Sequence, residues 1–164
     1  MTGEILGSLY EYGGWANERL LTMATQLADE QFRRRWSQGY QSIHETFVHL
    51  LSADLRWFAR WKEETPPAPL APADVPSIEA LRARWAPLIA ERRDYLAGLG
   101  EDDLRHVIRG RTVDGQVLEL ARWQGILQCA NHGTQHRSEI AAMLTEAGHS
   151  PGDLDYSLFC RSRR

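Results

Sequence analysis

Apolar residues recur every three to four positions in four separate stretches, the period that turns one face of an α-helix toward a core. The first stretch runs from about Gly3 to Leu27, with Leu6, Leu9, Tyr10, Trp15, Leu20, Leu21 and Met23 at its apolar positions. Gly13 and Gly14 weaken it locally, because glycine costs about 1 kcal/mol against alanine inside a helix. The second begins after Ser42, an N-cap residue with Glu45 placed to complete a capping box, and continues through "IHETFVHLLSADLRWFARWKEE" to about Glu64. A third starts at Ser77, carries Ile78, Leu81, Trp85, Leu88, Ile89, Tyr95 and Leu96, and stops near "GLGEDD". The fourth runs from about Glu119 to Ala147, with Gly148 where a helix-ending glycine belongs and Pro151 just beyond.

Two connections carry information. "TPPAPLAPADVP" holds five prolines in twelve residues and cannot be helical. A linker of about 12 residues reaches roughly 40 Å, more than the roughly 30 Å length of the second helix. It can therefore run the whole length of a bundle and set the second and third helices parallel; a floppy loop between antiparallel helices is the alternative. Ahead of the fourth helix, "LRHVIRGRTVDGQVLELA" places Val- and Ile-containing runs on either side of Asp114-Gly115, the pattern of a small β-hairpin or extended tight turn. The expected fold is all-α: a four-helix bundle with a long crossover between helices two and three, as a single domain over residues 1–164.

Composition narrows the function classes. The chain is 43% hydrophobic and 25% charged with a net charge of −3, so no basic surface points to nucleic acid or anionic membrane. No apolar run reaches the ~20 residues of a membrane span, and the N-terminus lacks the pattern of a secretory signal. Two cysteines, Cys129 and Cys160, make no disulfide framework. A soluble, reduced, cytoplasmic protein is expected.

The chemistry concentrates in "CANHGTQHRSEIAAMLTEAG", residues 129–148. His132 and His136 stand one helical turn apart, with Cβ atoms about 5–6 Å from each other. They fall in a stripe of Gly125, Cys129, His132, His136, Ile140 and Met143, whose other members are small or apolar. Imidazoles on such a face need partners, and one divalent ion shared by both rings is an economical one. Buried structural histidines are the other reading. A third ligand has to come from the second helix, where His44 and His49 point about 140° apart and cannot both face one ion. Periodicity alone favours His44, which lies nearer the apolar centre set by Ile43, Phe47, Leu50, Leu51, Phe58 and Trp61.

"FVHLLSADLRWFARW" followed by "NHGTQHRSEIAAMLTEAGHSPGDLDY" resembles the DinB/YfiT-like family of small metal-binding four-helix bundles. The opening "YEYGGWANERLL" is similar to that family's first helix, and the resemblance spans about residues 5 to 158. Its most specific part is the run His-Gly-Thr-X-His-Arg. In the family a histidine of helix two, followed by apolar residues and an acidic residue near a tryptophan, joins the two helix-four histidines on one ion. That pattern falls on His49, with Leu50, Leu51, Asp54 and Trp57 after it. The resemblance therefore implies His49, His132 and His136 as ligands, with zinc or nickel as the ion and His44 as the alternative. It also implies a homodimer, and a second apolar stripe on the fourth helix (Trp123, Leu127, Ala130, Ala141, Leu144) offers a surface for it.

Three imidazoles leave an open coordination position, where water or a substrate thiolate is the reacting group and no further catalytic side chain is identified. Relatives of this fold include transferases and isomerases that use low-molecular-weight thiols. The expectation is a metal-dependent enzyme with thiol S-transferase-like or hydrolase-like chemistry on a small molecule. The alternative is a non-catalytic stress-response protein with a structural ion. Around the site, Cys129 could be a fourth ligand or a buried small hydrophobe. Arg137 could orient an anionic substrate group, Glu45 could support His49 or only cap its helix, and Trp15 and Trp57 could line a pocket.

Overall fold

The computed structural model describes residues 2–36, 41–112 and 114–163. The chain is mostly helical. Among the described residues it forms α1 (Thr2–Ala24), α2 (Asp29–Arg33), α3 (Ile43–Trp61), α4 (Ile78–Ala97), α5 (Glu101–Arg105), α6 (Arg122–Glu146) and α7 (Tyr156–Ser162). Strands β1 (Val107–Arg111) and β2 (Val117–Ala121) pair antiparallel ahead of α6. No helix is long and apolar enough to cross a membrane.

Capping chemistry sets several ends. Ser42 accepts from the Glu45 N–H at 3.1 Å while the Glu45 carboxylate accepts from the Ser42 N–H at 2.8 Å, closing the box that starts α3. At the end of α6, Gly148 takes φ +86°, and the His149 and Gly148 N–H groups bond back to Leu144 and Thr145 carbonyls. That pairing satisfies carbonyls that the last turn leaves free, and it requires the left-handed conformation glycine supplies.

Several boundaries differ from expectation: α1 ends at Ala24 instead of Leu27, and α3 at Trp61 instead of Glu64. α6 starts at Arg122 because Glu119–Ala121 belong to β2, and Gln124 reaches back to cap the Ala121 N–H at 2.9 Å. The hairpin expected around Asp114-Gly115 is present, and its pairing nearest the turn is Arg111 with Val117. Thr112 closes that loop by bonding to Gln116 through backbone and side chain. The proline-rich stretch is not wholly extended: Pro72–Asp74 make one 3-10 turn, where proline occupies the first helical position and its missing N–H costs nothing.

The long helices pack in pairs, α3 on α6 and α4, and α1 on α6 and α4. Contacts at both ends orient them. His44, at the start of α3, bonds to the carbonyl of Val75 just before α4, and Tyr95 near the end of α4 bonds to the Trp61 carbonyl at the end of α3. The segment between them, residues 62–77, therefore travels back along the helix pair, and it is pinned on the way. Leu70 N–H donates to Ser52 Oγ, Arg56 donates to the Pro67 carbonyl, and Val75 is fully buried.

The core between the helices is built from Leu20, Phe47, Leu51, Trp61, Leu81, Ile126, Ile140 and Met143, all at 0% exposure. Of the second stripe on α6, Trp123 and Leu127 face out while Leu144 is core. Gly125 allows α6 to meet the hairpin: a Cβ there would sit 3.1 Å from Ile108 Cδ1.

Candidate metal centre

α3 and α6 bring three imidazoles together. His132 Nε2 lies 3.2 Å from His49 Nε2 and 3.1 Å from His136 Nε2, and the three ligand atoms all fall within 4.8 Å of one another. Hydrogen bonding among the rings cannot account for this arrangement. A single Nε2 carries either one proton or one lone pair, so His132 can serve only one of its two neighbours well. A central ion serves all three. Nitrogen donors at 2.0–2.1 Å in tetrahedral directions stand roughly 3.3 Å apart, close to the spacing seen. The donor set fits a divalent ion, and nitrogen ligands suit zinc or nickel.

The electrostatics favour the ligating form. Burial, and then the neighbouring His136 and His49 rings, push His132 down to about 4. Burial first and His136 second also lower His49, with Glu139 opposing. Both rings are neutral near neutral pH, with lone pairs available to a metal.

Glu139, one turn beyond His136, completes the site. Its carboxylate stands 2.7 Å from His136 Nδ1, which fixes the proton there and turns Nε2 inward as the donor atom. The i, i+3 spacing of His136 and Glu139 is visible in the sequence, but nothing in the sequence aims the carboxylate at the ring. Glu139→Gln, which keeps the shape and removes the charge, is expected to weaken metal affinity about 10- to 100-fold without unfolding the chain, as measured by competition with a chromogenic chelator.

The remaining candidates separate clearly. His44 is 2% exposed, 3.0 Å from Arg33 Nη1 and 2.7 Å from the Val75 carbonyl, on the opposite side of α3 from the cluster. Its two ring nitrogens are taken by the fold. Glu45 has its carboxylate committed to the Ser42 cap, whose N–H holds its pKa below the usual range. Cys129 is buried; its thiol donates to Asp54 at 3.4 Å, and desolvation pushes it well above the usual thiol range. Arg137 turns away from the rings toward α1, over Tyr12 and against Gly13, and donates to Thr134. Trp15 packs near Phe159 of α7, away from the histidines. Trp57 alone among these lines a cleft together with His49 and His132.

Exposure marks which side is open. The neighbours Cys129 and Ile140 on α6 are buried, whereas His132 and His136 are half-buried and His49 is exposed. The imidazoles thus form the rim of the core and face outward on one side, where a small molecule has access.

Comparison with known proteins agrees with this arrangement. The chain is 26% identical over 160 residues to Protein DinB of Bacillus subtilis (strain 168), covering 92% of this chain and 91% of that one. The DinB family matches residues 1–163, so that helices, crossover and all three histidines lie within the match, and the chain belongs to the DinB family.

Proposed function

We propose that His49, His132 and His136 hold one divalent metal ion, zinc or nickel, and that the protein is a metal-dependent enzyme acting on a small molecule. The observation that carries this is the convergence of three Nε2 atoms on the solvent-facing rim of the core, beside a cleft. A structural ion is normally enclosed by four ligands, whereas three ligands with an open side suit substrate binding. When bound, the ion supplies Lewis-acid chemistry, favouring a thiolate or hydroxide nucleophile in thiol S-transfer or hydrolysis. The chain's own contribution is positional. Glu139 holds the His136 tautomer, and Trp57 lines the cleft beside His49 and His132.

In the same reading the long helices α1, α3, α4 and α6 are a four-helix bundle with one long crossover, and residues 1–164 are one domain. The exposed Trp123 and Leu127 belong to a homodimer contact, which Trp123→Glu would break to monomers in light scattering.

Cobalt substitution tests the catalytic reading against a structural ion. The cobalt-loaded protein is expected to bind about one ion per chain and to change its visible spectrum on addition of a small thiol, with a modest fall in melting temperature when the ion is removed. A spectrum indifferent to thiols, with collapse of the fold on chelation, would instead assign the ion a structural role.

A further inference from the structure

Beside the histidines lies a cleft of about 360 Å³, large enough for a small organic molecule. His49 and His132 form one end of it. Arg56, Trp57 and Arg60 of α3 make one wall, and Pro69 of the crossover and Leu118 of β2 stand in the other. Segments that read as connectors in the sequence therefore shape the space next to the candidate metal centre.

The two arginines set the character of the cleft. From His49, seven and eleven residues along a helix return to within about 20° of the same line, so His49, Arg56 and Arg60 share one face of α3. The backbone positions of the two arginines lie about 10 Å and 16 Å further along the axis than that of His49, at 1.5 Å per residue. Each arginine donates to a backbone carbonyl, Arg56 to Pro67 and Arg60 Nη2 to Arg111 at 3.2 Å. Arg60 also stacks over Trp57 at 5.2 Å, which holds its plane against the wall.

Among the described residues neither guanidinium has a carboxylate within ion-pair distance, and Arg60 Nε is buried with no hydrogen-bond partner. Carbonyl acceptors position the two cations without neutralising them. Burial and then the adjacent Arg56 both disfavour the charge on Arg60.

We propose that Arg56 and Arg60 form the oxyanion-binding end of this cleft, taking the carboxylate or phosphate of a small molecule whose other end meets His49, His132 and His136. Trp57, Pro69 and Leu118 cover the apolar chain between the two ends. The proposal rests on the metal-site reading for what sits at the histidine end, but its own content is the preference for an anion.

The test is equilibrium binding by calorimetry at low salt, using ω-mercaptohexanoate and its uncharged counterpart ω-mercaptohexanol, with zinc content measured on the same samples. The acid is expected to bind at least about tenfold more tightly than the alcohol, a margin that shrinks as salt rises. In Arg56→Gln/Arg60→Gln the margin disappears while zinc content, the alcohol's affinity and the circular dichroism stay as in the wild type. Arg60→Lys, which keeps the charge, retains most of the preference and separates charge from folding. The matching ω-mercaptoalkyl phosphonate tells the two oxyanion sources apart, because the anion that gains more over the alcohol names the ligand class. Equal affinity for acid and alcohol in the wild type, or an undiminished preference in the double variant, overturns the subsite. Absent zinc sinks only the metal reading, because the acid–alcohol margin can be read on the metal-free protein as well.

Discussion

His49→Ala is expected to lose the metal and keep the fold, and His44→Ala to do the reverse. The two residues sit on the same helix within two turns of each other, yet their surroundings differ in kind. His49 is exposed and its ring meets the other two imidazoles, so its removal leaves no buried cap or carbonyl unpaired among the described residues. Metal content should fall from about one ion per chain to near none after dialysis, while metal-free stability stays within about 0.5 kcal/mol of wild type. His44 is buried against Phe32 and bridges Arg33 to the Val75 carbonyl. Alanine there strips both partners and leaves a void, at a cost of roughly 2–3 kcal/mol, or about 5–10 °C in melting temperature. The check is elemental analysis beside calorimetry with and without added zinc. In the wild type and in His44→Ala, saturating zinc at 1,000 times Kd should add about 4 kcal/mol, and in His49→Ala nothing. A zinc increment that survives His49→Ala would remove that residue from the site.

The same pair explains what was legible in the sequence. Helical periodicity measures burial, and it correctly put His44 nearer the apolar centre of α3. Burial is the wrong criterion for His49 as a proposed ligand, because an open site has to sit at the edge of the core where solvent reaches it. Only the family pattern around His49 pointed to the exposed ring. His132 and His136 were legible because their spacing is fixed by the helix itself, while their half exposure is a property of the packed helices.

Local chemistry carried the fold where it was strong enough to act alone. The Ser42–Glu45 box and Gly148 ended or began helices at the residues expected, because each satisfies backbone groups with partners a few positions away. α2 and α5 were missed, and five residues are too few to show a 3.6-residue period. They hold their shape through tertiary contact, Phe32 and Leu104 being buried under neighbouring elements. Arg56 and Arg60 were equally silent. On a sequence they read as solvated charges on α3, and they gain meaning only once the crossover and hairpin close around them.

The largest loss of stability is expected from Asp54→Ala. Asp54 is 7% exposed on α3 and accepts from Trp85 Nε1 at 2.9 Å and from the Cys129 thiol. Arg92 of α4, only 4% exposed, stands 3.3 Å away and lies 4.3 Å over the Tyr10 ring of α1. One carboxylate therefore joins side chains of all four long helices. Asp54 is the one carboxylate within ion-pair distance of Arg92 among the described residues, and Arg92 Nε and Nη1 are buried without a hydrogen bond, so removing Asp54 leaves a buried cation uncompensated. Breaking such a pair from one side costs about 3–5 kcal/mol, read as a shift of roughly 10 °C or more in melting temperature. Asp54→Leu combined with Arg92→Met removes both charges and should recover most of that loss, since an apolar pair of similar volume is often neutral or stabilising. The network also stands next to the site, with Asp54 just beyond His49 on α3 and Cys129 just before His132 on α6. The single variant should accordingly bind zinc more weakly even at temperatures where it is folded, and the double variant should recover stability ahead of affinity. If Asp54→Ala instead melts within 1–2 °C of wild type, the four helices are held by their apolar contacts alone and the buried pair contributes nothing net.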